Sequence, residues 1–472
     1  MMLKAIDPRT GKDDYYFPAL SKAQVWTTCL HLREHQPAWQ AAGAKGRIAA
    51  LQQWKAAVEK DKDKLVKALC ADTGRRWETI LEADLVASSI DRWCGIAKDF
   101  LRPSKKKAST IPFISLKQEL EPFAVVGVIS PWNFPLLLSL IDTIPALLAG
   151  CAVAVKPSEV TPRFIEVMQQ TILEVPLLRD VFAYMQGDGE TGAALVGQSD
   201  LVCFTGSTAT GRKIYAAAAE RMIPVFLEMG GKDPAVVLEG ADLDAAASAI
   251  LWGSTANAGQ SCLSIERVYV HEKIHDEFVK KLADKASQIK LAFPGMDDGV
   301  IGPIIFRKQV DIIDEHLKDA VARGARIVTG SKECEKMGGG WYCRPTVLVD
   351  VTQDMLVMKE ETFGPLMPVM RFRDVDEAVS LANGTVYGLS GAVFAATNEV
   401  AMAVARRIEG GAMSINDAAL TAVMHEGEKN SFRLSGIGGT RMGPSAMKRF
   451  MRQKVMIVRD PSVRSPWWYK GT

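Results

Sequence analysis

Apolar positions early in the chain recur with the period of a helix. Ile48, Leu51, Trp54 and Val58 predict two or three helices across residues 44–100, and Asp72-Thr73-Gly74 ends one of them. Residues 111–118 alternate weakly, as a hairpin strand does, before the continuous apolar run Phe123-Ala124-Val125-Val126-Gly127-Val128-Ile129 opens a different pattern. That run, a helix over 136–148 and a strand over 151–155 make a βαβ unit, with Pro131-Trp132-Asn133-Phe134-Pro135 in its first loop. A second unit follows. Thr161-Pro162 starts a helix, and then come a strand over 181–185, a helix over 190–196, a strand over 201–204, a helix over 208–220 and a strand over 224–227. Such alternation predicts a mostly parallel, doubly wound sheet whose ligand lies at the C-terminal ends of the strands.

A second α/β region begins after Gly231, with a helix over 242–252, a loop bearing Cys262, a strand over 268–270 and a helix over 275–289. The final apolar run, Lys454-Val455-Met456-Ile457-Val458, is expected to pair with residues 113–120 of this or a neighbouring subunit.

With 472 residues, 48% of them hydrophobic, the chain can fill two or three cores. Its 57 basic and 55 acidic residues leave a net charge of +2 spread along the chain, which gives no footprint for nucleic acid; Lys105-Lys106-Lys107 reads as a solvated loop. The start lacks the apolar core of a secretory signal, so the expected location is cytoplasmic. Asp142, Pro145 and Gly150 interrupt the most membrane-like stretch, 134–155, which is therefore read as a buried helix and strand and not as a span. Trp467-Trp468 are read as capping a subunit interface. Eight cysteines without a Cys-x-x-Cys point to reduced thiols, with neither a disulfide framework nor a metal site. Cys151 and Cys203 lie in apolar runs and belong to the core, whereas Cys262 follows small polar residues and looks chemical.

Three segments offer the parts needed to make and break a thioester. Cys262, in Gly259-Gln260-Ser261-Cys262, is a nucleophile if its surroundings lower its pKa, and its loop fits that need. Glu228 closes a predicted strand before Met229-Gly230-Gly231, where glycines allow close backbone approach; it reads either as a base for water or as a salt-bridged strand residue. Asn133, held between prolines and aromatics, reads either as an oxyanion donor or as the N-cap of the helix after it.

Cofactor cues are weaker. Lys156-Pro157-Ser158-Glu159 and Phe204-Thr205-Gly206-Ser207-Thr208-Ala209-Thr210-Gly211 end two predicted strands and would place a cation, a carboxylate and donors against a dinucleotide. Each also reads as a plain turn, and the chain has no Gly-x-Gly-x-x-Gly.

Taken in order, Pro-Trp-Asn-Phe-Pro, Lys-Pro-Ser-Glu, Phe-Thr-Gly-Ser-Thr, Leu-Glu-Met-Gly-Gly-Lys, Gly-Gln-Ser-Cys and Glu360-Glu361-Thr362-Phe363-Gly364-Pro365 resemble the signature set of the aldehyde dehydrogenase superfamily across nearly the whole chain. The resemblance implies an NAD(P)-dependent, non-acylating enzyme that oxidises an aldehyde to a carboxylic acid through a cysteine thiohemiacetal and thioester. Cys262 would be the nucleophile, Asn133 with the Cys262 N–H would hold the oxyanion, and Glu228 would activate water. Trp132, Lys156, Glu159, Gly206, Ser207, Glu361 and Phe363 match cofactor-binding positions: Lys156 and Glu159 the adenosine ribose, Ser207 the pyrophosphate, Glu361 and Phe363 the nicotinamide end. A carboxylate at Glu159 accepts from a ribose 2′-OH and repels a 2′-phosphate, which favours NAD, with NADP possible because Lys156 is adjacent. The implied fold is α/β. It has a doubly wound parallel-sheet cofactor domain over 1–228, a catalytic domain over 229–444, and a bridging arm of 103–121 with a C-terminal return and oligomerisation strand in 445–472, giving a homodimer or homotetramer.

Residues 418–432 depart from the family's usual Pro-Phe-Gly-Gly approach to the last Ser-Gly element, here Ser435-Gly436, so no substrate is carried over from the resemblance. His425 in that stretch reads as a surface loop residue before a pocket residue. Trp132, Val423 and Met424 suggest an apolar or aromatic aldehyde. Glu228 argues against a CoA-acylating enzyme of the same fold. The presence of Cys262, Glu228 and Asn133 together argues against a non-catalytic structural or binding protein, and no histidine motif serves a cysteine hydrolase.

Overall fold

The computed structural model describes residues 1–102 and 104–469. Pro103, the first residue of the expected arm, and residues 470–472, the last of the expected C-terminal return, lie outside the described residues. The fold is α/β. Strands apolar at every position are buried on both faces and form the middle of two largely parallel sheets.

The first sheet has six strands in the order Gly436–Ile437, Val225–Glu228, Leu201–Thr205, Val125–Ile129, Ala152–Lys156, Phe182–Tyr184. Every neighbouring pair is parallel except the first, where Gly436–Ile437 runs antiparallel to Val225–Glu228. All residues of Val125–Ile129, Ala152–Lys156 and Leu201–Thr205 are buried. From Val125–Ile129 the chain builds outward to Phe182–Tyr184, then crosses back to lay Leu201–Thr205 on the other side. This reversal opens a crevice beyond the strands' C-terminal ends, and the segments after Ile129, Lys156, Thr205 and Glu228 all lead into it.

The second sheet takes seven strands from Asp233–Val237 to Ala412–Ile415, parallel throughout except where Arg326–Thr329 meets Thr346–Val349. The chain then returns: Gly436–Ile437 joins the first sheet, and Ala446, Met447 and Phe450 pack into its core. Met451–Arg459 pairs antiparallel with Ile114–Pro122 of the same chain, and Lys107–Ala108 flanks that strand. The tail folds onto this arm, Trp467 stacking on Phe113 with centroids 5.7 Å apart and the Arg459 guanidinium 4.9 Å from the Trp468 ring.

Four features differ from the sequence expectation. A hairpin, Met2–Ile6 with Asp13–Pro18, and a helix, Lys22–Ala41, precede the helices expected from residue 44. The single helix expected over 136–148 is two, Pro135–Leu140 and Thr143–Ala149. Pro145 has no N–H to donate to Ile141, so it is tolerated only within the first turn of a new helix. At the break, buried Asp142 accepts from Arg441 Nη2 at 2.6 Å and lies 3.2 Å from Arg449 Nη1. Finally, Cys334 and Cys343 are disulfide-bonded, contrary to the expectation of reduced thiols. The hairpin Glu335–Met337/Gly340–Tyr342 between them brings their Cα atoms to 4.4 Å. Among the described residues no helix is long and apolar enough to cross a membrane.

Candidate active site

Glycines let the motif-bearing loops touch. A Cβ on Gly230 would collide with the Glu361 carboxyl, and one on Gly231 would lie 2.7 Å from the Cys262 carbonyl oxygen. The Gly231 N–H donates to Glu361 Oε1 at 3.2 Å. Gly259, at φ +74°, has no room for a Cβ against Gly364 and Pro365. Three successive residues, Asn257, Ala258 and Gly259, hold left-handed φ values of 54°, 55° and 74°, turning the chain from helix Leu243–Thr255 towards Cys262. Such values cost free energy in non-glycine residues, and hydrogen bonds hold them. The Asn257 N–H donates to Glu78 (3.0 Å), while its Nδ2 donates to the carbonyls of Asn133 (3.1 Å) and Gln260 (3.0 Å).

Cys262 and Asn133 line one cavity of about 290 Å³. The Asn133 side chain is buried, and its Nδ2 donates to the Gln260 carbonyl at 3.0 Å; an amide carries two N–H groups, so one stays available. The N-cap reading of Asn133 fails. Glu82 Oε2 accepts from the N–H groups of Leu136 and Leu137 at 3.1 Å, and the other oxygen of this buried carboxylate takes the Arg75 guanidinium at 2.8 Å. Glu228 ends its strand as expected. Its carbonyl accepts from the Gly206 N–H at 3.1 Å and its Oε2 from the Ser431 hydroxyl at 2.6 Å. Among the described residues no basic side chain forms an ion pair with it.

The electrostatics run against the expected lowering of the nucleophile's pKa. Burial first, then the neighbouring charge of Glu361, push the Cys262 thiol up to about 12; Asp233 and Glu228 add to this, and Lys429 opposes it. Glu361 is itself pushed up to about 8, by burial and then by Glu266, against the Gly231 N–H and Lys232. Glu266 joins two motifs: it accepts from Lys232 Nζ at 2.6 Å and from the N–H groups of Thr362 and Phe363 at 2.7 and 2.8 Å.

The residues expected at cofactor positions lie around the crevice. Lys156 is 5% exposed, and its Nζ donates at 3.0 Å to Glu159, a side chain 44% exposed at the rim. Gly206 leads to Ser207, which caps helix Thr208–Glu220 by accepting from the Thr210 N–H at 3.3 Å. Trp132 packs edge-on against Phe363 with centroids 5.5 Å apart, outside the cavity lining. A cation, a rim carboxylate and the N-terminus of a 13-residue helix at the switch point fit a dinucleotide.

The family model described as "Aldehyde dehydrogenase family" matches residues 1–456. The chain belongs to that family. The solved structure of "Putative Aldehyde Dehydrogenase PutA" from Anabaena variabilis superposes with a TM-score of 0.98 at 54% identity, covering 99% of this chain and 100% of that one. Betaine aldehyde dehydrogenase from Staphylococcus aureus, in complex with NAD+, gives a TM-score of 0.91 at 28% identity over 100% of this chain and 94% of that one. "Putative succinate-semialdehyde dehydrogenase [NADP(+)]" of Mycolicibacterium smegmatis is 33% identical over 469 residues, 98% of this chain and 90% of the relative.

Within this aldehyde dehydrogenase fold the unusual stretch 418–432 borders the cavity of Cys262 and Asn133 and, through Ser431, Glu228. Val423 and His425 line the cavity with Cys262, so His425 is a pocket residue and not a surface one; Met424 lies outside the lining. Burial and Arg92, which donates to the His425 carbonyl at 3.3 Å, lower the His425 pKa. Sequence reasoning missed Ser431, Glu82, Asn257 and Glu266. For Asn257, Glu266 and Ser431 the available signal was position, within or a few residues from a motif or the departing loop; Glu82, on helix Trp77–Phe100, carried no such signal.

Proposed function

We propose that the chain oxidises a neutral, apolar or aromatic aldehyde to the carboxylic acid with NAD or NADP. Cys262 Sγ attacks the carbonyl carbon, and the free Asn133 amide N–H and the Cys262 backbone N–H stabilise the oxyanion of the thiohemiacetal. The dinucleotide, when bound, supplies the hydride acceptor that leaves a thioester. Glu228, oriented by Ser431, then takes a proton from the water that hydrolyses it. Because the thiol sits at about 12, it sheds its proton to solvent water only as the attack proceeds.

Lys156, Glu159, Gly206 and Ser207 would hold the adenosine and pyrophosphate portion, and Trp132, Glu361 and Phe363 the nicotinamide end. One relative is named for NADP(+) and another is solved with NAD+. The Glu159 carboxylate at the rim favours NAD here.

The composition of the cavity carries the substrate assignment. Its wall includes Trp77, Leu81, Leu85, Phe134, Trp252 and Val423 and holds no lysine or arginine. Its two carboxylates are already engaged, Glu78 by Asn257 and Glu82 by Arg75. A second carboxylate on the substrate would find no cation there, which disfavours succinate semialdehyde. NADH formation with aromatic, aliphatic and acidic aldehydes, using NAD and NADP in parallel, tests this. The highest kcat/KM for an acidic semialdehyde would refute the assignment.

The arm is the proposed contact between subunits of a homodimer or homotetramer, since Ile457 and Trp467 are 66% and 56% exposed on it. Sedimentation at equilibrium as a monomer would refute that.

A further inference from the structure

Away from the active site, one side-chain cluster has the donor set of a metal site. His31 and His35 lie four residues apart on helix Lys22–Ala41, so they project from one face, with ring centroids 4.1 Å apart. Asp180, between helix Phe164–Leu173 and strand Phe182–Tyr184, faces them with Oδ1 3.3 Å from His31 Nε2. One donor atom from each of the three lies within 4.8 Å of the others.

Hydrogen bonding already sorts the nitrogens. His35 Nδ1 lies 2.8 Å from the His31 backbone carbonyl, which only accepts, so the proton is on Nδ1 and the Nε2 lone pair is free. A ligating histidine is normally oriented in this way, by donating its other N–H to a carbonyl. Arg179 Nε approaches only the far oxygen of Asp180, at 3.7 Å, and leaves Oδ1 to the histidines. His31 and Asp180 are 47% and 38% exposed, so a hydrated ion can reach them.

We propose that His31, His35 and Asp180 bind a divalent transition metal, zinc among the common ones, with water completing the coordination. Two imidazoles and one carboxylate suit zinc or cobalt and are too rich in nitrogen for calcium or magnesium. Tetrahedral zinc, with bonds of about 2.0–2.1 Å, spaces its donor atoms about 3.3 Å apart. The His31–Asp180 spacing of 3.3 Å matches that already, and a His35 donor atom lies within 4.8 Å of both. The bound ion would clip the helix Lys22–Ala41 to the connection entering the edge strand Phe182–Tyr184 of the first sheet. None of the three residues lines the cavity that holds Cys262.

Titration of Co2+ into the full chain, with Cys262→Ala alongside, tests the proposal. The expected result is saturation at one equivalent, with the visible absorption of a four-coordinate nitrogen and oxygen site and no sulfur-to-cobalt charge-transfer band, alike in both chains. His35→Gln and Asp180→Asn should each weaken binding by about tenfold or more, as loss of a direct ligand exceeds loss of an outer-shell partner. Melting in EDTA shows that each variant is folded, and His31→Gln replaces either one that is not. Zn2+ should raise the melting temperature of the wild type and of Cys262→Ala but not of the His35→Gln or Asp180→Asn variants. Absence of saturable binding, equal affinity in wild type and variants, or a sulfur band that vanishes with Cys262→Ala would overturn the proposal.

Discussion

Alkylation of Cys262 by iodoacetamide in the cofactor-free chain has a calculable pH dependence. The thiol sits at about 12 against an ordinary value of 9.0, so at about pH 8 its thiolate fraction is near 10⁻⁴ where an unperturbed thiol reaches about 10⁻¹. This is about a thousandfold, or about 4 kcal/mol held against ionisation. Only the thiolate attacks, so the rate should be about a thousandfold below that of an exposed cysteine at that pH. It should then rise close to tenfold for each pH unit away from about pH 8, less steeply across it where Glu361 ionises, and without a plateau up to about pH 10. Site-specific labelling is read by mass spectrometry of the peptide bearing Cys262, with Cys262→Ala as the blank. Glu361 adds a second leg. Its carboxyl titrates near 8, so its charge opposes the thiolate above that pH and is absent well below it. Glu361→Gln should therefore speed labelling at about pH 10 and change it little at about pH 6. A plateau with a midpoint at or below about 8.5 would refute the reasoning, as it would show a thiolate stabilised by its surroundings.

Asn133→Ala removes one oxyanion donor and should lower kcat by roughly 10²–10³-fold, with melting little changed; a loss confined to KM would contradict the role. Ser431→Ala takes away the hydroxyl held 2.6 Å from Glu228 and should cut steady-state turnover about tenfold while leaving a first-turnover NADH burst intact. An unchanged steady state would show that Ser431 does not orient the base. For stability, Glu361 in the folded chain titrates near 8 against 4.5 ordinarily, so between those values the folded state binds more protons than the unfolded one. Stability is lost as pH rises across that window, by at most about 5 kcal/mol from this group. Glu361→Gln should accordingly melt at progressively higher temperature than wild type from about pH 5 to pH 9, and a constant difference would refute the sign.

What the sequence makes legible follows from burial. Strands buried on both faces, such as Val125–Ile129 and Leu201–Thr205, must be apolar throughout, and they stand out at once. The hairpin Met2–Ile6/Asp13–Pro18 is mostly exposed, with one buried residue in each strand, so it shows no continuous buried apolar run of that kind. Motif order singled out Cys262, Asn133 and Glu228 as candidates, and the loops bearing them meet in the fold. Their electrostatics were not legible, because the thiol's environment comes from Glu361, Asp233 and Lys429, remote in sequence. The N-cap reading of Asn133 was sound local chemistry, overruled by Glu82 from another helix. Likewise the Cys334–Cys343 pairing needs the intervening hairpin, which a spacing of nine residues alone does not reveal. The stretch 418–432 broke the family pattern, and only the fold shows that it delivers His425 to the cavity and Ser431 to Glu228.

The most direct test is to trap the intermediate. Glu228→Gln, mixed with NAD and a turned-over aldehyde and quenched in acid during the NADH burst, should yield a peptide containing Cys262 that is heavier by the acyl group. Wild type should hold far less of it, because its water is activated. A burst of NADH with no acyl group on Cys262, or with the acyl group on another residue, would contradict the account.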